Sequence, residues 1–266
     1  MLGAIVGDIV GSVPQPEPAL PSSGPLFSAA SQVTGHTIAT IAVAESLLSG
    51  RDGVDLLHEY YARYPEVVYE PAFSDWAKQR HRLPYRGDAT TAAARVSPVA
   101  YVYEQLRPVL TEAERCAVLT HRQPNAWRLA QALAGCIYLL RRGARCDDVV
   151  NLARFGFGCD LTTPMAERSV HLELHGGRVA IALRVLLDSS NFIDALEKAR
   201  AYRGADSALL SMTGALAEAA YGVPADIVAE VEQRLPPSLA KVVQAFRRVY
   251  EGEQRIDAIN GYSMAC

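Results

Sequence analysis

The chain has 266 residues, 50% of them hydrophobic and 21% charged, with a formal net charge of -3. That is enough apolar material for one sizeable core, and the slight acidity gives no reason to expect a nucleic acid or an acidic membrane as partner. Only Lys78, Lys198 and Lys241 are lysines, so the basic residues are almost all arginine, a skew that reads as composition bias and not as a binding surface.

Along the chain, the first ten residues are apolar, but Asp8 interrupts them and no basic segment precedes them, which argues against a signal peptide. No apolar run is long enough to cross a bilayer, and five cysteines, never spaced C-x-x-C, predict reduced thiols in a cytoplasmic protein. Residues Val13 to Gln32 are rich in Pro, Ser and Gly and read as an irregular loop. Thr34 can cap a helix whose apolar face carries Ile38, Ile41, Ala42, Ala44, Leu47 and Leu48. Tyr64 to Ala89 is a second long stretch with little period. Helical patterns follow over Trp127 to Leu140, with Pro124 near the start and Gly143 past the end. Further ones cover Val179 to Leu187, Asn191 to Tyr202, Leu209 to Tyr221, Ile227 to Arg234 and Leu239 to Tyr250. No alternating strand run or hairpin turn stands out. The expectation is an all-α fold, a compact single helical domain over residues 1–251 with a loosely ordered tail over 252–266.

Several short motifs then fall in one order. Gly3-Ala4-Ile5-Val6-Gly7-Asp8-Ile9-Val10-Gly11-Ser12 opens the chain, followed by Pro25-Leu26-Phe27, Thr34-Gly35-His36-Thr37, Tyr64-Pro65 and Phe73-Ser74-Asp75-Trp76. After these come Pro84-Tyr85, Ala93-Ala94-Arg95-Val96-Ser97-Pro98 and Thr120-His121-Arg122-Gln123-Pro124. The last are Gly204-Ala205-Asp206-Ser207-Ala208 and Thr213-Gly214-Ala215-Leu216-Ala217-Glu218-Ala219. In order and spacing this series resembles the ADP-ribosylglycohydrolase family from Leu2 to about Phe246. The resemblance implies an all-helical domain with a central cleft and, in the family, a two-magnesium centre that binds ADP-ribose hydroxyls and orients water.

The same resemblance places the family's metal ligands at Gly35, His36, Ala205, Ser207 and Ala208, with only Thr34 kept. Magnesium demands hard oxygen ligands in near-octahedral array, and glycine, imidazole and alanine supply none. The loop acid of the family's acid–base step falls at Gln15, whose amide does not exchange a proton near neutral pH. The family's G-N-G turn becomes Ala89-Thr90-Thr91. The expected cleft is therefore Asp8, Gln15, Thr34, His36, Thr90, Thr91, Arg95, His121, Asp206 and Ser207, with no catalytic residue, no metal and no cofactor among them.

Each of these residues also has a plain structural reading. Asp8 reads first as an internal hydrogen-bonding group, and His121 as a structural imidazole. Arg95 can meet a phosphate or be buried against a carboxylate. Tyr60, Tyr61, Tyr64, Tyr69 and Tyr85 can stack on an adenine or simply pack. His36 and Asp206 can share a single imidazole-tolerant metal only if the loops shift register, and His171 and His175, with Glu173 between them, lack a third ligand. No nucleophile elbow, P-loop or H-E-x-x-H motif occurs. The leading expectation is a pseudoenzyme that binds an ADP-ribose-like or nucleotide-like small molecule, or a protein partner, without hydrolysis. The rival is a divergent hydrolase with a site rebuilt around His36 and Asp206.

Overall fold

The computed structural model describes residues 1–13, 25–162 and 177–252. Among these residues all regular structure is helical apart from one isolated parallel bridge between Tyr85 and His121. The helices are α1 (Leu2–Gly11), α2 (Gly35–Ser49), α3 (Gly53–Arg63), α4 (Pro71–Lys78), α5 (Ala89–Ala94), α6 (Val99–Val102) and α7 (Leu106–Val118). The rest are α8 (Pro124–Arg141), α9 (Cys146–Asn151), α10 (Gly177–Leu187), α11 (Phe192–Arg200), α12 (Ser207–Tyr221), α13 (Ala225–Arg234) and α14 (Pro237–Tyr250). A π-helical turn, Leu152–Gly156, continues α9. No helix among the described residues is long and apolar enough to cross a membrane.

The centre of the fold is the pair α1 and α12, which pack on each other more extensively than any other two elements. Leu2 through Val10 are all buried, as are Ala208 through Glu218. The glycines of the opening motif explain how. A Cβ on Gly7 would collide with the Leu210 carbonyl, and one on Gly214 with the carbonyl of Gly3. Backbone therefore lies on backbone, a separation only glycine allows. At the far end of the pair, Glu218 accepts hydrogen bonds from the Met1 ammonium at 2.6 Å and from Gly3 N at 2.9 Å. Around this pair the core is filled by side chains such as Ile5, Ile9, Ile38, Ile41, Leu133 and Leu216, each at most 2% exposed. Burial of each is worth about 1.5–3 kcal/mol.

The helices predicted from periodicity are present, α2 and α8 among them. Tyr64 to Ala89 is less irregular than its sequence suggests, because α4 forms inside it. Pro71 starts that helix, and the Glu70 carboxylate accepts from Phe73 N at 2.8 Å. The cysteines depart from expectation at one place. Cys116, Cys136 and Cys159 are free and buried, but Cys146 is disulfide-bonded. Gln15, His171, Glu173, His175 and all of the tail but its first residue lie outside the described residues.

Candidate functional site

Two helix N-termini and the turn before α5 carry the residues singled out in the sequence. At the first, Thr34 is the N-cap of α2, its Oγ1 accepting from His36 N at 3.3 Å. Asp8, fully buried on α1, reinforces the cap. Its two oxygens accept from Thr34 N (2.8 Å), Thr34 Oγ1 (2.5 Å), Thr37 N (3.2 Å) and Thr37 Oγ1 (2.6 Å). Three of the four donors go to Oδ2 and one to Oδ1, so the buried carboxylate serves mainly to hold the cap. Gly35 N donates to Val68 O at 2.8 Å, bringing the following residue against the helix end. A Cβ on Gly35 would stand 2.5 Å from the Tyr69 ring and 3.2 Å from Tyr69 Cα.

At the second terminus Asp206 is the N-cap of α12. Its Oδ1 accepts from Leu209 N at 2.9 Å, and its Oδ2 is paired with Arg178 Nη2 at 2.8 Å. Arg178, on the first turn of α10, also reaches Asp88 Oδ2 at 3.6 Å, while Asp88 Oδ1 caps α5 by accepting from Thr90 N at 2.8 Å. One guanidinium thus ties together the N-terminal ends of α5, α10 and α12. Ser207 follows at the first position of α12, its backbone pressed against Gly11. Thr90 is buried behind the α5 cap.

Behind the α5 turn runs a chain of hydrogen bonds. Arg95 Nη2 donates to Cys116 O (2.9 Å) and to Thr120 Oγ1 (2.5 Å). The Thr120 hydroxyl is left to donate to His121 Nδ1 at 2.8 Å, which assigns the imidazole proton to Nε2. Nε2 then donates to Asp88 O and Thr91 Oγ1, each at 3.0 Å, and Thr91 Oγ1 donates to Asp88 O at 2.8 Å. Burial, with the Arg95 charge nearby, pulls the His121 pKa down to about 3, so the ring is neutral and held at both nitrogens. Arg95 is 1% exposed, but not against a carboxylate as the sequence allowed. Among the described residues it forms no ion pair, and its Nε has no hydrogen-bond partner.

A pocket opens between α2, the segment Val68–Phe73 and the end of α5. It has about 320 Å³ of empty space counting its open mouth, and His36, Tyr69, Glu70, Phe73, Thr91 and Arg95 help to line it. The tyrosines do not form a stacking wall of five. Tyr60 bonds Glu45, Tyr64 bonds Ser238 Oγ at 2.6 Å, and Tyr69 donates to Tyr64 O at 2.9 Å. Ring contacts run from Tyr61 through Tyr69, Phe73, Trp76 and Tyr85 to His121 as internal packing, and of the five tyrosines only Tyr69 lines the pocket.

The site residues therefore divide. His36, Thr91 and Arg95 meet at the pocket, with His121 behind them. Asp8 and Thr34 form a cap, and Asp206 belongs to an ion pair. The conjectured sharing of one metal by His36 and Asp206 is not realised: both Asp206 oxygens are engaged, and no group of three His, Cys, Asp or Glu able to hold a metal occurs among the described residues. This donor set does not match magnesium, which needs several hard oxygens, and a guanidinium beside Asp206 repels a second cation. Sequence reasoning missed Arg178, Asp88 and Glu70, and read Phe73 only as part of a motif. Asp88 had a signal, standing as an N-cap before Ala89-Thr90-Thr91; Arg178 had none, since its partners are distant in sequence.

The two helix termini, the α5 turn and the glycine-packed helix pair carry the motif series first read in the sequence. No curated protein matches the chain. The sequence profile described as ADP-ribosylglycohydrolase matches residues 1–256. With nearly all of its length inside that match, the chain belongs to the ADP-ribosylglycohydrolase family.

Proposed function

We propose that this family member is a cytoplasmic pseudoenzyme that holds an ADP-ribose-like ligand without hydrolysing it and without a magnesium pair. The observation that carries the reading is the state of Asp206. It is the one carboxylate in the Gly204–Ala208 loop, and its oxygens go to the helix amide of Leu209 and to the Arg178 guanidinium. Three other groups able to handle a proton are similarly committed, which leaves His36 and Glu70 at the pocket. Asp8 accepts four hydrogen bonds, Asp88 caps α5 and faces Arg178, and His121 is neutral and bonded at both nitrogens. With no set of hard oxygen ligands for a magnesium pair, several kcal/mol of transition-state stabilisation are missing.

The test is release of ADP-ribose from ADP-ribosylated arginine, with and without magnesium or manganese, beside calorimetric titration of ADP-ribose. Binding without release is expected in every buffer. Release that disappears in an Asp206→Ala variant would overturn the reading in favour of a rebuilt hydrolase.

A further inference from the structure

We infer that the pocket between α2, Val68–Phe73 and the end of α5 takes a small oxyanion, a phosphate or carboxylate group, with Arg95 as its counter-charge. The argument starts from the burial of Arg95. A guanidinium stays charged in a protein and offers five N–H donors. Here it is 1% exposed and spends donors only on Cys116 O and Thr120 Oγ1, through Nη2. Nε is buried with no partner. A buried charge left unpaired is strongly destabilising, so the residues around Arg95 must either neutralise it or leave room for something that does.

The neighbours do not neutralise it. Burial raises the Tyr85 phenol well above its ordinary range and pushes the Cys116 thiol up to about 12, so both are uncharged at neutral pH. Glu112 is held by Arg115 through three hydrogen bonds, the Nε contacts being 2.8 and 3.0 Å. Glu70 lines the same pocket, but its Oε2 accepts from Phe73 N at 2.8 Å and from Tyr85 Oη at 3.4 Å, and it makes no ion pair with Arg95. The pocket that Arg95 lines is the remaining place from which a counter-charge can approach the guanidinium. His36 stands in the same pocket with no side-chain hydrogen bond among the described residues and offers a second donor. Tyr69 and Phe73, stacked at 5.6 Å between centroids, give an apolar wall for whatever carries the anion. The space is small, which suits one oxyanion group and not a whole nucleotide.

This inference goes beyond the non-hydrolytic reading and does not depend on it: turnover would sink that reading while leaving anion binding untouched. The test uses the full chain with inorganic phosphate and with malonate, each against chloride at equal ionic strength, read by thermal melting and calorimetry. A saturable rise in melting temperature is expected, roughly 5–10 °C at a hundred times the dissociation constant. The larger of the two shifts identifies the preferred group. Arg95→Met should lose the shift. Should that variant fail to fold, Ala39→Leu decides, because it fills the pocket and keeps the guanidinium; it should lose the shift as well. No saturable shift with either anion, or an equal shift in the parent and the filled variant, would overturn the proposal.

Discussion

Tyr69 occupies the space that a side chain on residue 35 would need, and it is held there from both sides. Val68 O accepts from Gly35 N at 2.8 Å, and the Tyr69 hydroxyl donates to Tyr64 O at 2.9 Å. The glycine at position 35 and the closure of the loop over it are thus one physical arrangement. With Cβ absent, the loop carbonyl reaches the amide of the first helical residue.

The first expectation concerns that closure. Gly35→Asp should destabilise the fold by about 1–3 kcal/mol, the usual cost of forcing atoms into filled space. Adding Tyr69→Ala should return part of the loss, because the obstructing ring is removed. Urea unfolding of the two variants and the double variant measures this; equal and additive losses would show that the two positions do not touch.

At the other terminus, the double role of Asp206 predicts an asymmetry. Asp206→Ala removes a helix cap and an ion pair, and capping alone is worth about 0.5–2 kcal/mol. Arg178→Ala removes only pairs in which Asp88 and Asp206 are 47% and 41% exposed, worth at most about 1 kcal/mol. Asp206→Ala should be the more destabilising, and high salt should shrink a larger fraction of the Arg178 effect than of the Asp206 effect, whose cap hydrogen bond remains in salt. Chemical denaturation at two ionic strengths checks both statements.

Acid should act through His121. Its folded pKa of about 3 lies below the ordinary value of 6.5, so between those values the unfolded chain binds a proton that the folded chain refuses. Stability therefore falls as pH drops from 6.5 towards 3, with a slope of up to about 1.4 kcal/mol per pH unit from this group. His58, lowered chiefly by burial, adds in the same direction. A His121→Gln variant, less stable at pH 7 for loss of its hydrogen bonds, should show a shallower decline below pH 6.5. Denaturation midpoints from pH 7.5 to 4.5 give the comparison, and parallel curves would contradict it.

Some of this was legible in the residues. Thr34 announced α2, Pro124 announced α8, and the 3.6-residue period gave the later helices. α1 gave no period because α12 and its neighbours cover every side of it, so an apolar run without a polar face was all the sequence could display. α4 was hidden by its length of 8 residues and by a cap, Glu70, that is not among the strongly preferred N-cap types. At the site, Thr34 and Asp206 were legible as helix caps. The groups set against those caps did not show, because Tyr69 and Arg178 reach the helix ends from remote segments, and only the folded chain brings them there.

The backbone contact between α1 and α12 has a consequence for how the chain is made. Gly3 and Glu218 meet across 215 positions of sequence. At a synthesis rate of roughly 5–20 residues per second, the first helix waits about 10–40 s for the surface that covers it. During that interval an apolar segment, fully buried in the finished fold, emerges without its partner. Assembly of the centre is thus deferred until α12 has been made, and until then the apolar face of α1 is open to other contacts.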